Sequence, residues 1–293
     1  MNKLFAMFVI FAAVQPVDRA AFQRDEIEWR QGRAARLQAP DSWLSLVALD
    51  WLNEGRNELR MPRPPNSYLT IGPAGAIVLR KGKATLEPTK DSHFTIDGKA
   101  VTAPVELVND MDPRGATVVR RGTLQFEVIK RNERYAVRMK DSNSEARRNF
   151  QGLEYFPPDP KWRVTAKFIP YNPPKKIAIT NVLGMTGDEI SPGALVFTVN
   201  GKEYRIDPIL EQGEKDLFLI IKDQTSRDLT YPAARYLYAK QPGPDGTTIV
   251  DFNRAYNPPC AFTPYATCPL PPRQNVLPFR IEAGEKRYAG GHH

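Results

Sequence analysis

From Ser67 onward, apolar and polar positions alternate in short runs rich in branched and aromatic residues. The runs are SYLTIG, AIVLR, HFTID, KAVTAPVEL, TLQFEVIK and RYAVRMK, the period-two pattern of half-buried strands. Asp97-Gly98 separates two of them and is the chemistry of a two-residue hairpin; Asn132-Glu133 marks a second turn, between FEVIK and YAVRM. The proline-rich LEYFPPDPKW, residues 153–162, breaks the pattern and is a candidate linker. Strands then resume in RVTAKFI, KIAITNV, ALVFTV, KEYRID, DLFLIIKD, RYLYAK and TTIVDF. A hairpin at Asn200-Gly201 sets Val199 opposite Lys202, Phe197 opposite Tyr204 and Leu195 opposite Ile206, and the last two pairs form an apolar face that fixes the register.

The region before the strands differs. Residues 22–40 are good helix formers with Phe22, Ile27, Trp29 and Leu37 among many charges, which predicts one exposed, charge-rich helix from about Arg24 to Leu37, stopped by Pro40. DSWLSLVALDWL, residues 41–52, reads as a short capped helix or a buried run anchoring this arm. The expected fold is therefore mainly β, with an N-terminal helix followed by two packed antiparallel β units, sandwich or barrel-like. The first unit spans residues 22–152 with the helix; the second spans 160–288 and carries a Cys/Pro-rich loop that plugs one end.

Composition adds a compartment and removes several chemistries. At 41% apolar and 25% charged, a 293-residue chain can build a substantial core without a metal or disulfide. Residues 4–14, LFAMFVIFAAV, follow Lys3 and are too few to span a bilayer; they suit the apolar stretch of a signal peptide over residues 1–20, so the expected location is exported, periplasmic or secreted. No later stretch is apolar enough to span a membrane once that signal is removed. The net charge of +8 is scattered along the chain, without a nucleic-acid-binding motif, and reads as a solvated surface. The histidines are His93, His292 and His293, which leaves no three-histidine metal site and no base for a Ser-His-Asp or Cys-His triad. No phosphate-loop or dinucleotide motif is present, so no cofactor and no metal are expected.

The densest polar chemistry lies in DFNRAYNPPCAFTPYATCPLPPRQN, residues 251–275. Asp251, Asn253, Arg254, Tyr256 and Asn257 enter a proline-braced loop holding Cys260 and Cys268. Three readings of the cysteines stand open: a disulfide, which an exported protein permits, two buried thiols, or a reactive thiolate. The polar shoulder reads either as loop architecture or as a site in which Arg254 grips a carboxylate or phosphate. Two other segments could converge on it, one carrying Arg138, Asp141 and Arg148, the other Asp223, Thr225, Tyr231 and Arg235. A binding module for a small anionic ligand would use Arg138, Arg163, Arg235 and Arg254, with Asn253, Asn257 and Tyr231 orienting. A hydrolase-like enzyme would use Asp223, Asp251 or Cys260. A structural or interaction protein would need none of them.

GLEYFPPDPKWRVTAKF, KDQTSRDLTYPAARYL and above all DFNRAYNPPCAFTPYATCPLPPRQNVLPFRIEAGEKRY resemble the bacterial family known as domain of unknown function 1684, as does DSWLSLVALDWLNEGRNELR near the start. The resemblance spans about residues 25–288 and implies a β-rich protein, with no activity to carry over. It extends interest beyond the sulfurs to Asp251, Asn253, Arg254, Asn257, Asn275 and Glu285. The cysteine motif is shared by members that look cytosolic, which argues against a disulfide. One departure is Arg227, where the family carries a turn glycine; the turn accepts it only if it avoids positive φ.

Overall fold

A computed structural model describes residues 18–60, 74–211 and 213–291. The apolar run at 4–14, the SYLTIG segment and the two terminal histidines lie outside these residues. The described chain is mostly β, with one long N-terminal helix followed by antiparallel sheets.

The first unit is a sandwich. A six-stranded sheet runs in the order Leu46–Trp51, Arg134–Asp141, Leu124–Arg131, Val119–Arg121, Thr95–Ile96 and Lys99–Ala100, and a four-stranded sheet runs Gly55–Leu59, Gly75–Arg80, Lys83–Pro88 and Val105–Leu107. Their inner faces share one core, where Ile77, Leu79 and Leu86 meet Phe126, Val128, Val137 and Met139. The Asp97-Gly98 hairpin forms as expected, with Thr95 opposite Ala100 and φ of 49° and 76° at its two turn residues.

In the second unit a long hairpin pairs Arg163–Thr180 with Thr186–Val199, flanked by Lys202–Ile206 and Thr247–Asp251. The Asn200-Gly201 register is the one its pattern dictates: Val199, Phe197 and Leu195 face Lys202, Tyr204 and Ile206. The polar and proline-containing parts of this hairpin gave no strand signal. Strand Arg163–Thr180 passes Pro173-Pro174 because the pairing shifts between Pro170 and Lys175, where no ladder bond is required of a proline. Leu217–Ile221 pairs with Arg235–Ala239 and is buried on both faces. Leu217, Leu219 and Ile221 enter one core with Leu195, Phe197 and Phe252; Phe218 and Ile220 enter another with Ile177, Ile179 and Tyr236.

The helix runs Arg19–Gln38, longer than expected, because Asp18 caps it by accepting from the amides of Ala20 and Ala21. Its exposed reading is corrected. Glu26 and Arg33 are buried while Ile27 is 53% exposed. The helix docks by charge: Arg33 Nε donates to Glu285 at 2.9 Å, and Arg254 donates to Glu26 at 2.9 Å and also to Asp25. Phe22 and Leu37 add apolar burial of about 1.5–3 kcal/mol each. Trp43–Ser45 forms one 3-10 turn before strand Leu46–Trp51, so residues 41–52 are not a second α-helix, and only Leu44, Ser45 and Leu46 among them are buried. Residues 153–162 are also pinned: Phe156 N–H donates to Gly284, and Asn253 brackets Asp159 through bonds of 2.9 and 3.0 Å. Arg227 closes a 3-10 turn and is not among the residues with positive φ, so the missing glycine costs nothing.

Candidate functional site

Strand alternation sends Val137 and Met139 into the first unit's core, so Ala136 and Arg138 face the other way. Across the ladder Arg138 stands opposite Glu127, Ala136 opposite Ile129 and Arg134 opposite Arg131. The second unit covers this outer face, and Ala136 and Ile129 are fully buried there. The cover is tied down by Arg131 Nε donating to Thr267 Oγ1 at 3.2 Å and Asn132 Nδ2 donating to the Thr186 carbonyl at 3.0 Å. Between the two surfaces lies a cavity of about 780 Å³, within the range of small-molecule sites.

Arg138 lines this cavity with 7% of its side chain exposed. Its guanidinium has no hydrogen-bond partner among the described residues; Nε is fully buried, and the terminal nitrogens keep some exposure toward the cavity. Glu127 lies 3.8 Å away, an ion pair without hydrogen-bond contact, and the guanidinium sits 5.6 Å from the Trp43 ring centre. Burial and then the neighbouring Arg131 hold its pKa below the ordinary arginine value. Arg131 reaches the same wall, bonded to Asp110 at 2.7 Å. A buried guanidinium with unused donors disfavours the empty state and favours an oxyanion beside it.

The opposite wall comes from the second unit. In Arg235–Ala239, Leu237 and Ala239 point to the core, so Tyr236 and Tyr238 share the cavity face. Tyr256 packs edge-on against Tyr236 at 5.9 Å, and burial raises its pKa to about 12. Tyr238 donates to Glu211 Oε2 at 2.8 Å. Burial raises the carboxyl pKa values of both Glu211 and Glu189, and the charge of Glu211 raises Glu189 further.

Of the residues singled out in the sequence, Arg138, Tyr256 and Cys268 border the cavity. The others are placed elsewhere. Arg235 is buried, donating to Asp223 Oδ2 at 2.6 Å and to the carbonyls of Ile281 and Ala283. Asp223 Oδ1 also accepts from Thr225 and from the Ile281 amide; Thr225 in turn meets Thr230. Asp251 accepts from Asn253, and exposed Arg163 reaches it at 3.8 Å. Asp141 accepts from the Asn143 amide in a turn. Tyr231 donates to the Cys260 carbonyl, Asn257 donates to Glu285 and Lys286, and Asn275 ties Asp207 to Ile220. Arg254 holds the helix. The four candidate arginines therefore do not converge; Arg138 alone reaches the cavity, with Arg131 beside it.

Cys260 and Cys268 are free thiols in contact, the Cys260 amide donating to Cys268 Sγ at 3.1 Å. The Cys268 bond and the Tyr231 hydroxyl lower the Cys260 pKa against the opposing effect of burial, while burial raises that of Cys268. The cavity residues not anticipated are Arg131, Asp110, Glu189, Glu211, Tyr236 and Tyr238. One signal was available: the i, i+2 tyrosines of RYLYAK, polar-tipped on one face of a strand.

Fold and cavity together define a two-unit β protein with a charged cleft between its units. Residues 148–286 match the model of the family described as Protein of unknown function (DUF1684). Residues 25–147, included in the resemblance read from the sequence, fall outside the match. No curated protein matches the chain. A solution NMR structure of an uncharacterized protein from Haloarcula marismortui is 29% identical, covering 48% of this chain and 78% of that one, with a TM-score of 0.40.

Proposed function

We propose that this protein binds a small anionic ligand in the cleft between its two units, with Arg138 as the anchoring cation. The observation that carries the reading is the Arg138 side chain, which lines a cavity of ligand size, has no side-chain hydrogen bond among the described residues and keeps its Nε buried without a partner. Trp43 packs near the guanidinium, and Arg131 beside it is already paired with Asp110, which leaves Arg138 as the anchoring cation. The hydrolase-like alternative gains no support, because Asp223 is engaged by Arg235, Thr225 and the Ile281 amide, Asp251 is engaged by Asn253, and neither borders the cavity. Export is proposed on the apolar run at residues 4–14, and removal of that run on secretion is its test. For binding, calorimetric titration with inorganic phosphate and with butyrate should give saturable heats that Arg138→Met abolishes. Equal binding by wild type and Arg138→Met would overturn the assignment.

A further inference from the structure

The cleft holds charge of both signs without hydrogen-bonded counter-ions, kept on different walls: Arg138 is buried, Glu211 half-buried and Glu189 exposed at the rim. Arg138 projects from the first unit and lacks a hydrogen-bonded anion. Glu189 and Glu211 project from the second unit, and among the described residues neither forms an ion pair, although the chain as a whole carries an excess of eight positive charges. Lys130, which also borders the cavity, is paired with Glu133 at 3.4 Å. Glu211 has one oxygen engaged by Tyr238 and the other without a hydrogen bond. Both carboxyls border the same cavity, and their chain segments are joined where the Leu210 amide donates to the Ile190 carbonyl at 3.1 Å; a cation placed beside them is stabilised by both charges. The neighbouring rings of Phe218 and Tyr238, 5.1 Å apart, suit the alkyl and ammonium portions of such a cation.

We propose that the natural ligand is a zwitterion, its oxyanion seated on Arg138 and its alkylammonium held by Glu189 and Glu211 beside Tyr238. This rests on the anion-binding reading above and adds the second charge. A ligand with one charge would leave one wall uncompensated; a ligand with both bridges the two units. The cavity then discriminates by the spacing of the charges, because each end alone offers one weak contact and only a molecule of matching length makes both.

The test is calorimetric titration of the full chain with ω-amino carboxylates from aminobutyrate to aminooctanoate. Each is compared with the carboxylate lacking the amine and with the alkylammonium lacking the carboxylate. One chain length should bind about tenfold or more tighter than either half, the gain expected of one added charge-assisted contact. Glu189→Gln combined with Glu211→Gln should remove that gain and leave carboxylate binding unchanged, which also shows that the variant is folded. If carboxylates bind through Arg138 and no amino carboxylate binds better, the zwitterion proposal fails and the anion site stands. If neither class binds, or binding ignores Arg138→Met, the anion site itself fails.

Discussion

Arg138→Met separates a residue kept for a ligand from one kept for the fold. The wild-type guanidinium has 7% of its side chain exposed, no hydrogen bond, and its nearest acid at 3.8 Å. Methionine fills a similar shape and removes a desolvated charge that no hydrogen bond compensates. The substitution leaves Glu127 without its counter-ion, but that carboxylate is 20% exposed and lies 3.8 Å away, so the loss stays well short of the about 3–5 kcal/mol of a broken, hydrogen-bonded buried pair. The net expectation is a change within about 1 kcal/mol, or roughly 2–4 °C in Tm. Arg235→Met is the contrasting case. It leaves Asp223 buried and unpaired and frees the Ile281 and Ala283 carbonyls, which should cost about 3–5 kcal/mol. Thermal and urea unfolding of both variants without ligand decide the matter. If Arg138→Met loses more than about 2 kcal/mol, as a buried bonded residue would, Arg138 is architectural and the ligand argument collapses.

Three further outcomes follow from the packing. Asn275→Ala strands the Asp207 amide and the Asp207 and Ile220 carbonyls in the interior, and should lower unfolding stability by about 2–3 kcal/mol; a loss below half that amount would mean water replaces the amide. Glu26 has its carboxyl pKa raised, by burial first, so it holds its proton more tightly in the folded state. Its contribution to stability is present in acid and lost as pH rises through the folded value. The unfolding midpoint should therefore fall more steeply between mildly acidic and neutral pH in wild type than in Glu26→Gln, and equal slopes would refute this. Titration of native protein with a thiol reagent should show one fast site, Cys260, with Cys268 reacting only after denaturation; no reactive thiol in denatured, unreduced protein would mean a disulfide.

Much of the fold was legible where local chemistry fixes geometry. Asn200-Gly201 and Asp97-Gly98 supply the positive φ a tight hairpin needs, and the flanking alternation sets the register. The helix was legible as a helix but not in its orientation, because Glu26 and Arg33 are buried only through partners at Arg254 and Glu285, more than two hundred residues away. The polar shoulder at 251–275 stood out, yet the structure employs its side chains as brackets: Asn253 on Asp159, Asn257 on Lys286, Asn275 on Asp207. A buried asparagine satisfying a loop and one binding a ligand look the same in a sequence. Arg138 was picked out by residue type, while the cavity around it is assembled from segments between Trp43 and Pro269 that no local pattern joins.

The ion pairs that dock the N-terminal helix span 228 and 252 residues of sequence. During synthesis this helix emerges more than two hundred residues before its anchors. Until Arg254 and Glu285 have left the ribosome, Glu26 and Arg33 have no place to settle, and the helix remains in water. Closure of the helix over the second unit therefore waits on both distant anchors and carries the loop-closure cost of contacts at such separation.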